Sequence, residues 1–230
     1  MSLALGDLDL LVREFRLNGF AVLEGLIPVD LLADFSDQLQ PVLRGEYKQM
    51  VAGHTERSRG AHRLAIDLAP YEKVLSGQFY DDVFTHNPAA EELVDAILSP
   101  QGPWRRGWTQ VECAWKGSDF MGWHSDQTPE DTPDPLEPNK TIRLTFNIPL
   151  VDFTWANGSM QVIPGSHLLP RAFHSYQFEK LPRLHAHSLP LRRGDAIIRD
   201  GNMLHRGTPN LTDEPRPMLD QTYKSVHNST

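Results

Sequence analysis

The chain has 230 residues, of which 40% are hydrophobic and 23% are charged, the ordinary balance of a soluble globular protein. Its 22 basic and 30 acidic residues give a net charge of −8. This charge argues against nucleic acid or a membrane surface as a partner, because both require basic patches. A single cysteine, Cys113, excludes an intrachain disulfide and fits a reducing, cytoplasmic location. The sequence makes no prediction of oligomeric state.

The first half of the chain predicts helices around one short strand. Residues 7–18 carry an apolar stripe of helical period, and residues 20–23 have the pattern of a strand. A second helix is expected to begin at Pro28, and a third at Asn87-Pro88, where a capping residue precedes proline. The buried face of the second helix is expected to hold Leu32, Phe35, Leu39 and Val42.

Residues 45–63 are polar and rich in glycine, arginine and histidine, which predicts a loop. Loops beside a rigid scaffold often contact substrate, although a mobile surface loop is an equally good interpretation. Arg59, His62 and Arg63 are the candidate substrate contacts in this segment.

From residue 109 onward the pattern changes to short strand-like runs separated by glycine and proline turns, which indicates a β-sandwich or jelly roll. We therefore expect a mainly β protein with flanking helices. It would form a single domain over residues 1–230, with a helical part over about 1–105 and a jelly-roll core over about 106–226. A loop is expected at 128–139. The strand-like runs lie at 109–115, 141–150, 159–163, 186–191, 195–199 and 217–226.

One short motif, His124-x-Asp126, is a candidate metal half-site. Residues i and i+2 of a strand point to the same side, so an imidazole and a carboxylate can aim at one point. A second imidazole would complete a set of two histidines and one carboxylate, which suits ferrous iron and leaves coordination positions open. Alone the motif is weak, because most such pairs are surface pairs or turns. His205 is the candidate third ligand.

Taken together, His124-x-Asp126, His205 and Arg216 resemble the phytanoyl-CoA dioxygenase family of Fe(II)/2-oxoglutarate oxygenases. The stretches 157–167, 194–195 and 205–210 support this resemblance, which covers about residues 10–225. The family implies a double-stranded β-helix core, the cupin-like form of the jelly roll. It also implies Fe(II) held by the two histidines and the aspartate, with 2-oxoglutarate and O2 at the open positions.

The resemblance also suggests residues that contact the co-substrate. The distal carboxylate of 2-oxoglutarate needs a buried cation, and Arg216 would supply a planar guanidinium that is always charged. Thr208 and Thr145 are candidate hydroxyl donors to that carboxylate, and Gln110 is a candidate for the pocket lining. Trp123, next to the first ligand, is expected to form core, cavity wall or part of the substrate pocket.

Asp126 favours oxygen chemistry, because halogenases related to this family carry a small residue there and use the freed position for chloride. The expected activity is an Fe(II)- and 2-oxoglutarate-dependent dioxygenase that hydroxylates, cyclises or desaturates a small molecule, with release of succinate and CO2. A specialised metabolite is favoured over an acyl-CoA, because a compact acidic chain suits a polyphosphate poorly. The alternatives are a non-redox metal-dependent isomerase or hydrolase of the cupin type, and a non-catalytic binding protein.

Four other polar residues have a simpler interpretation. His185-x-His187 has no nearby carboxylate and is expected to lie on an exposed strand. His167 ends a stretch that is a structural corner in the family. Arg206 is expected to point away from the iron ligands, because side chains alternate along a strand.

Overall fold

The computed structural model describes residues 7–53, 59–71, 74–75, 87–127, 140–169 and 185–226. Within these ranges three α-helices form, namely α1 (Leu8–Asn18), α2 (Val29–Val51) and α3 (Pro88–Leu98). The strands of the same ranges are β1 (Phe20–Leu23), β2 (Arg63–Asp67), β3 (Trp104–Ala114), β4 (Arg143–Pro149), β5 (Met160–Val162), β6 (His187–Leu189), β7 (Ala196–Asp200), β8 (His205–Gly207) and β9 (Arg216–Ser225).

The strands form two antiparallel sheets. The large sheet has the order β1-β7-β4-β9-β3-β2, and the small sheet has the order β6-β5-β8. The expectation of a mainly β protein with flanking helices is therefore confirmed. Within the described ranges, no helix combines the length and apolarity needed to cross a bilayer.

The large sheet has one apolar face and one largely polar face. Leu144 and Phe146 of β4 join the main core together with residues of all three helices. Because side chains alternate along a strand, Thr145 and Asn147 point to the opposite side. A second apolar cluster, which includes Met160 of β5 and Met218 of β9, joins this opposite side to the small sheet. The polar face therefore looks into the space between the sheets.

Helix α1 forms where the sequence predicts it. The Asp7 carboxylate caps the helix by accepting a hydrogen bond from the Leu10 amide at 3.3 Å. Gly19 ends it in the left-handed conformation, with φ of +83°, and its amide donates to the carbonyl of Phe15.

Helix α2 differs from the prediction in two respects. Its fourth buried residue is Leu43 and not Val42, which is only partly buried. The helix also continues to Val51, because Tyr47 and Met50 extend the apolar stripe and pack against the core. Residues 45–51 are therefore helical, and the predicted loop over 45–63 is wrong at this end.

The same loop prediction is wrong at its other end. Arg63 begins strand β2, which pairs antiparallel with β3 and places Arg63 opposite Ala114. This strand depends on a distant partner that a local pattern does not reveal. The central part of the expected loop, residues 54–58, lies outside the described residues, as does the loop expected at 128–139.

Candidate metal centre

The three candidate metal ligands meet beside the small sheet. His205 begins β8 and pairs with His124 through two backbone hydrogen bonds of 3.2 and 3.0 Å. The Oδ1 atom of Asp126 lies 4.0 Å from Nε2 of His124 and 3.6 Å from Nε2 of His205. The structure thus brings together one ligand atom from each of the three residues, all within 4.8 Å of one another.

Hydrogen bonds orient both imidazole rings toward the carboxylate. Nδ1 of His124 lies 2.9 Å from the carbonyl oxygen of Gly122, and Nδ1 of His205 lies 3.1 Å from that of Met203. A carbonyl oxygen only accepts, so the tautomer protonated at Nδ1 satisfies these contacts and leaves the lone pair on Nε2. For His205 the carbonyl oxygen is nearer to Nδ1 than the Arg199 guanidinium, which lies 3.4 Å away. Burial, with Arg199 and His124 adding to it, holds the pKa of His205 well below its ordinary value. Neutral imidazole is the form that binds a metal.

The second carboxylate oxygen of Asp126 is already occupied. Arg199 donates to Oδ2 at 2.7 Å, and the Thr145 hydroxyl donates to the same atom at 3.3 Å. Burial alone would raise the pKa of Asp126, but the charge of Arg199, the leading opposing cause, and its hydrogen bond help to hold the pKa well below its ordinary value. The carboxylate is therefore ionised and offers Oδ1 to the centre.

Arg199 is the functional residue that sequence reasoning missed. It lies on β7 directly after Ala196–Ile198, and only 3% of it is exposed. A buried charge must be paired, so an arginine next to an apolar strand run predicts a buried acidic partner. That signal was present in the sequence, but it did not indicate which of the thirty acidic residues is the partner.

Arg216 lies in the same recess as the three ligands. It is the first residue of β9, is 4% exposed, and has its guanidinium 4.8 Å from the ring centre of Phe153. Its Nε has no hydrogen-bond partner among the described residues. Burial, followed by the charge of Arg63, lowers the pKa of Arg216 to about 10, which still leaves it charged at neutral pH. A buried guanidinium with an unused donor fits an anionic ligand.

The recess opens into a larger cavity of about 730 Å³, a volume in the range of small-molecule sites. Gln110 lines both the recess and the cavity, as the sequence predicts for a pocket residue, and Trp108 does the same. Trp108 lies at a register irregularity in β3, between Arg106 and Thr109. Other residues of the cavity wall are Arg59, Asp67, Thr109, Glu112, Met121, Gly122, Trp123, His124 and Asp126.

The two threonines predicted to bind the co-substrate have other partners. The Thr145 hydroxyl donates to Asp126, and the Thr208 hydroxyl donates to the carbonyl oxygen of Ser159 at 2.6 Å. Neither residue belongs to the described lining of the recess. The structure therefore does not support the expectation that either threonine contacts the distal carboxylate of 2-oxoglutarate.

The structure places the three candidate substrate contacts of the predicted loop in different environments. Arg59 lines the cavity, as expected of a substrate contact. His62 points elsewhere and bonds to the Tyr47 hydroxyl at 2.7 Å. Arg63 is 1% exposed and donates to the carbonyl oxygens of Thr208 and Asp119. The expectation for Arg63 is corrected accordingly, because its guanidinium is buried in contacts with the main chain.

The remaining polar positions also have clear placements. Arg206 was expected to point away from the ligands, but it lines the recess. Its guanidinium lies over the rings of Phe120 and Trp123, 4.3 and 4.5 Å from their centres. His167 is buried against Gly19, far along the chain from the ligands, and its Nε2 lies 3.1 Å from the Arg16 carbonyl oxygen. His187 is exposed on β6.

Comparison with known sequences gives a consistent result. The family model described as phytanoyl-CoA dioxygenase (PhyH) matches residues 15–218. The chain is 27% identical to Dioxygenase FrzG of Cladobotryum sp over 230 residues, which cover 94% of this chain and 74% of that protein. It is 24% identical to Dioxygenase hkm4 of Aspergillus hancockii over 220 residues, which cover 90% of this chain and 68% of that protein.

Comparison with solved structures shows the fold. AviO1 from Streptomyces viridochromogenes Tue57 superposes with a TM-score of 0.69 at 17% identity, over 97% of each chain. The epimerase SnoN, solved with Fe3+, alpha ketoglutarate and nogalamycin RO, superposes with a TM-score of 0.67 at 22% identity. That match covers 95% of this chain and 83% of SnoN. The expected double-stranded β-helix core is thereby confirmed.

Proposed function

The chain belongs to the phytanoyl-CoA dioxygenase family, whose enzymes depend on iron and 2-oxoglutarate, and on this premise we propose that it oxidises a small oxygenated specialised metabolite. One observation carries the proposal. The buried guanidinium of Arg216, whose Nε is unpaired among the residues that the structure describes, shares one recess with three converging metal-ligand atoms. A metal site without redox function would have no need of that cation.

The residues present fit the implied iron and co-substrate. Two imidazole nitrogens and one carboxylate oxygen form the donor set that suits ferrous iron and leaves positions open. Arg216 would hold the distal carboxylate of 2-oxoglutarate. When bound, iron with 2-oxoglutarate and O2 supplies an oxidant that removes a hydrogen atom from carbon, as 2-oxoglutarate becomes succinate and CO2. Met160 and Met218 line the recess and exclude water from it.

The larger cavity would hold the substrate. Trp108 and Trp123 offer aromatic surface for a ring, while Asp67, Gln110 and Glu112 offer acceptors and donors for hydroxyl groups. Three carboxylates, those of Asp67, Glu112 and the ligand Asp126, against the one guanidinium of Arg59 make the described wall unsuited to a polyphosphate. These features support an oxygenated ring compound over an acyl-CoA.

The relatives support a role in specialised metabolism. SnoN is an epimerase and SnoK a carbocyclase, both described as alpha ketoglutarate dependent and from nogalamycin biosynthesis. Hydroxylation, desaturation, epimerisation and ring closure can all begin with removal of one hydrogen atom from the substrate. We therefore propose that first step for this chain, with the substrate deciding the product.

A binding and turnover experiment tests the proposal. Anaerobic addition of Fe(II) and 2-oxoglutarate should produce a visible charge-transfer band, and O2 should then release succinate. Arg216→Met should weaken 2-oxoglutarate binding at least 10-fold, because it removes one partner of a buried charge pair. Arg105→Met, at an exposed position on β3, is the matched control and should bind like the wild type.

Other outcomes would identify the alternatives. Binding of zinc with no effect of 2-oxoglutarate would favour a cupin-type isomerase or hydrolase. Absence of metal binding would favour a non-catalytic binding protein.

A further inference from the structure

A chain of polar side chains crosses the inner face of the large sheet and ends at Asp126. Gln110 of β3 donates through Nε2 to Oδ2 of Asp220 on β9 at 3.1 Å. Asn147 of β4 donates to the other oxygen of Asp220 at 2.5 Å. Arg199 of β7 donates through Nε to Oδ1 of Asn147 at 2.7 Å and through Nη1 to Oδ2 of Asp126 at 2.7 Å.

The direction of these hydrogen bonds is fixed by chemistry. A guanidinium only donates, so the Asn147 oxygen must face Arg199 and its amide nitrogen must face Asp220. Asp220 then accepts from Asn147 on one oxygen and from Gln110 on the other. Three of the four residues behind Asp126 are nearly inaccessible, at 0% for Asn147, 2% for Asp220 and 3% for Arg199. The guanidinium of Arg199 therefore fixes the orientation of the Asn147 amide.

The strand register explains how these residues meet. Asp220 pairs with Gln110 on one side and with Asn147 on the other. Arg199 pairs with Thr145, which lies two residues before Asn147 on the same face. The guanidinium of Arg199 is thus held on a rigid sheet and not on a loop.

The main chain at Asp126 is anchored separately. Arg143 donates through Nη1 to the Asp126 carbonyl oxygen at 2.5 Å, and the neighbouring Gln127 amide donates to the carbonyl oxygen of Gly201 at 2.8 Å. Loss of Arg199 would therefore leave the Thr145 hydroxyl, at 3.3 Å, as the remaining described donor to Oδ2 and loosen the carboxylate, while the backbone that carries it stays in place.

We propose that Arg199, held by Asn147 and Asp220, is the positioning residue that presents one carboxylate oxygen of Asp126 to the metal. This inference rests on the proposed function. By occupying Oδ2, the guanidinium leaves Oδ1 facing Nε2 of His124 and of His205. Coordination through one oxygen preserves the open positions that 2-oxoglutarate and O2 require.

The test measures metal binding and the spectrum of the metal complex. Arg199→Met should weaken anaerobic Fe(II) affinity by 10- to 100-fold, the range found when a partner of a metal ligand is removed. It should also shift the charge-transfer band formed with 2-oxoglutarate. Asn147→Leu should act in the same direction with a smaller effect, because the guanidinium remains but loses its anchor. Arg199→Lys should recover part of the affinity through its charge.

Arg105→Met is again the matched control. It removes an exposed guanidinium of β3 and should leave Fe(II) affinity within twofold of wild type. The unfolding temperature of each variant is also measured without metal. A substitution with a purely structural effect would lower that temperature but would leave the charge-transfer band of the folded protein unchanged.

The outcomes separate this inference from the proposed function. A wild type that binds no Fe(II) and forms no band with 2-oxoglutarate overturns both. A wild type that forms the band, together with an Arg199→Met variant of equal affinity and equal spectrum, overturns only the role of Arg199. Should Arg199→Met not fold, Asn147→Leu decides, and unchanged affinity and spectrum in that variant overturn the proposal.

Discussion

The atoms that are already hydrogen-bonded decide what the site can bind. Each ligand histidine uses Nδ1 for a backbone carbonyl oxygen and keeps Nε2 free. Asp126 uses Oδ2 for Arg199 and turns Oδ1 toward the two imidazoles, while Nε of Arg216 has no hydrogen-bond partner within the described part of the chain. The free atoms face one recess, so the local hydrogen bonds prepare a centre for a cation and a neighbouring anion.

Asp200 gives a prediction about stability and pH. It is fully buried, and burial raises its pKa to about 6 from the ordinary 3.8, against the opposing hydrogen bonds from Thr141 and the Asn202 amide. The folded state keeps this proton to a higher pH than the unfolded state does. Asp200 therefore costs stability as the pH rises from about 4 to about 6, by about 3 kcal/mol once both states are ionised.

Asp200→Asn should remove this cost. Denaturant unfolding without metal, at pH 4.5 and pH 7.5, should show that Asp200→Asn loses less free energy of unfolding over this interval than the wild type does. Asp213→Asn, at an exposed site, is the control and should follow wild type. Equal pH dependence in wild type and Asp200→Asn would show that Asp200 is ionised in the folded protein at both pH values.

At the scale of elements, the sequence predicted those helices and strands that depend on a local pattern of residues. Helix α1 and its caps, β1, and the strands after residue 109 other than β8 follow from apolar periodicity and turn residues, with boundaries shifted by a few positions. Strand β2 was missed, because it forms by pairing with β3, which is distant in sequence. The ligand set came from a spacing typical of a family, whereas Arg199, Asn147 and Asp220 follow from strand register, which the sequence does not display.

Gly158 gives a prediction about the turn before β5. Its φ is +86°, and an added Cβ would lie 2.9 Å from the Thr208 carbonyl oxygen and closer still to that of Pro209. Backbone carbonyls cannot swing aside, so Gly158→Ala should lower the unfolding free energy by roughly 2–5 kcal/mol. Gly53→Ala is the matched control, since Gly53 has φ of +75° but open space around it.

Thermal or denaturant unfolding measures both glycine variants. Gly53→Ala should lose only about 1–2 kcal/mol, the cost of a left-handed backbone with a side chain. Similar losses in the two proteins would mean that the segment at Gly158 can shift away from the 208–209 carbonyls.

In the whole molecule, the candidate metal centre joins the two sheets. His205 belongs to the small sheet, whereas Asp126 is held by Arg199 of the large sheet. A bound ion would therefore link both sheets and stabilise the folded state.

Metal addition should raise the unfolding temperature. Mn(II) at 100 times its dissociation constant stabilises by about 2.7 kcal/mol, which corresponds to roughly 5–10 °C for a protein of this size. His205→Gln should lose most of this shift, while His187→Gln, on the exposed strand β6, should keep it. An equal shift in wild type and His205→Gln would place the bound ion elsewhere.

The polar chain from Gln110 to Arg199 draws one residue from each of four adjacent strands. A substitution at one of these positions removes a single contact. An inserted or deleted residue within a strand would instead invert the side chains beyond it and turn the polar partner toward the helices. Over evolutionary time, insertions and deletions should therefore be rare within β3, β4, β7 and β9, even where relatives differ in most of their amino acids.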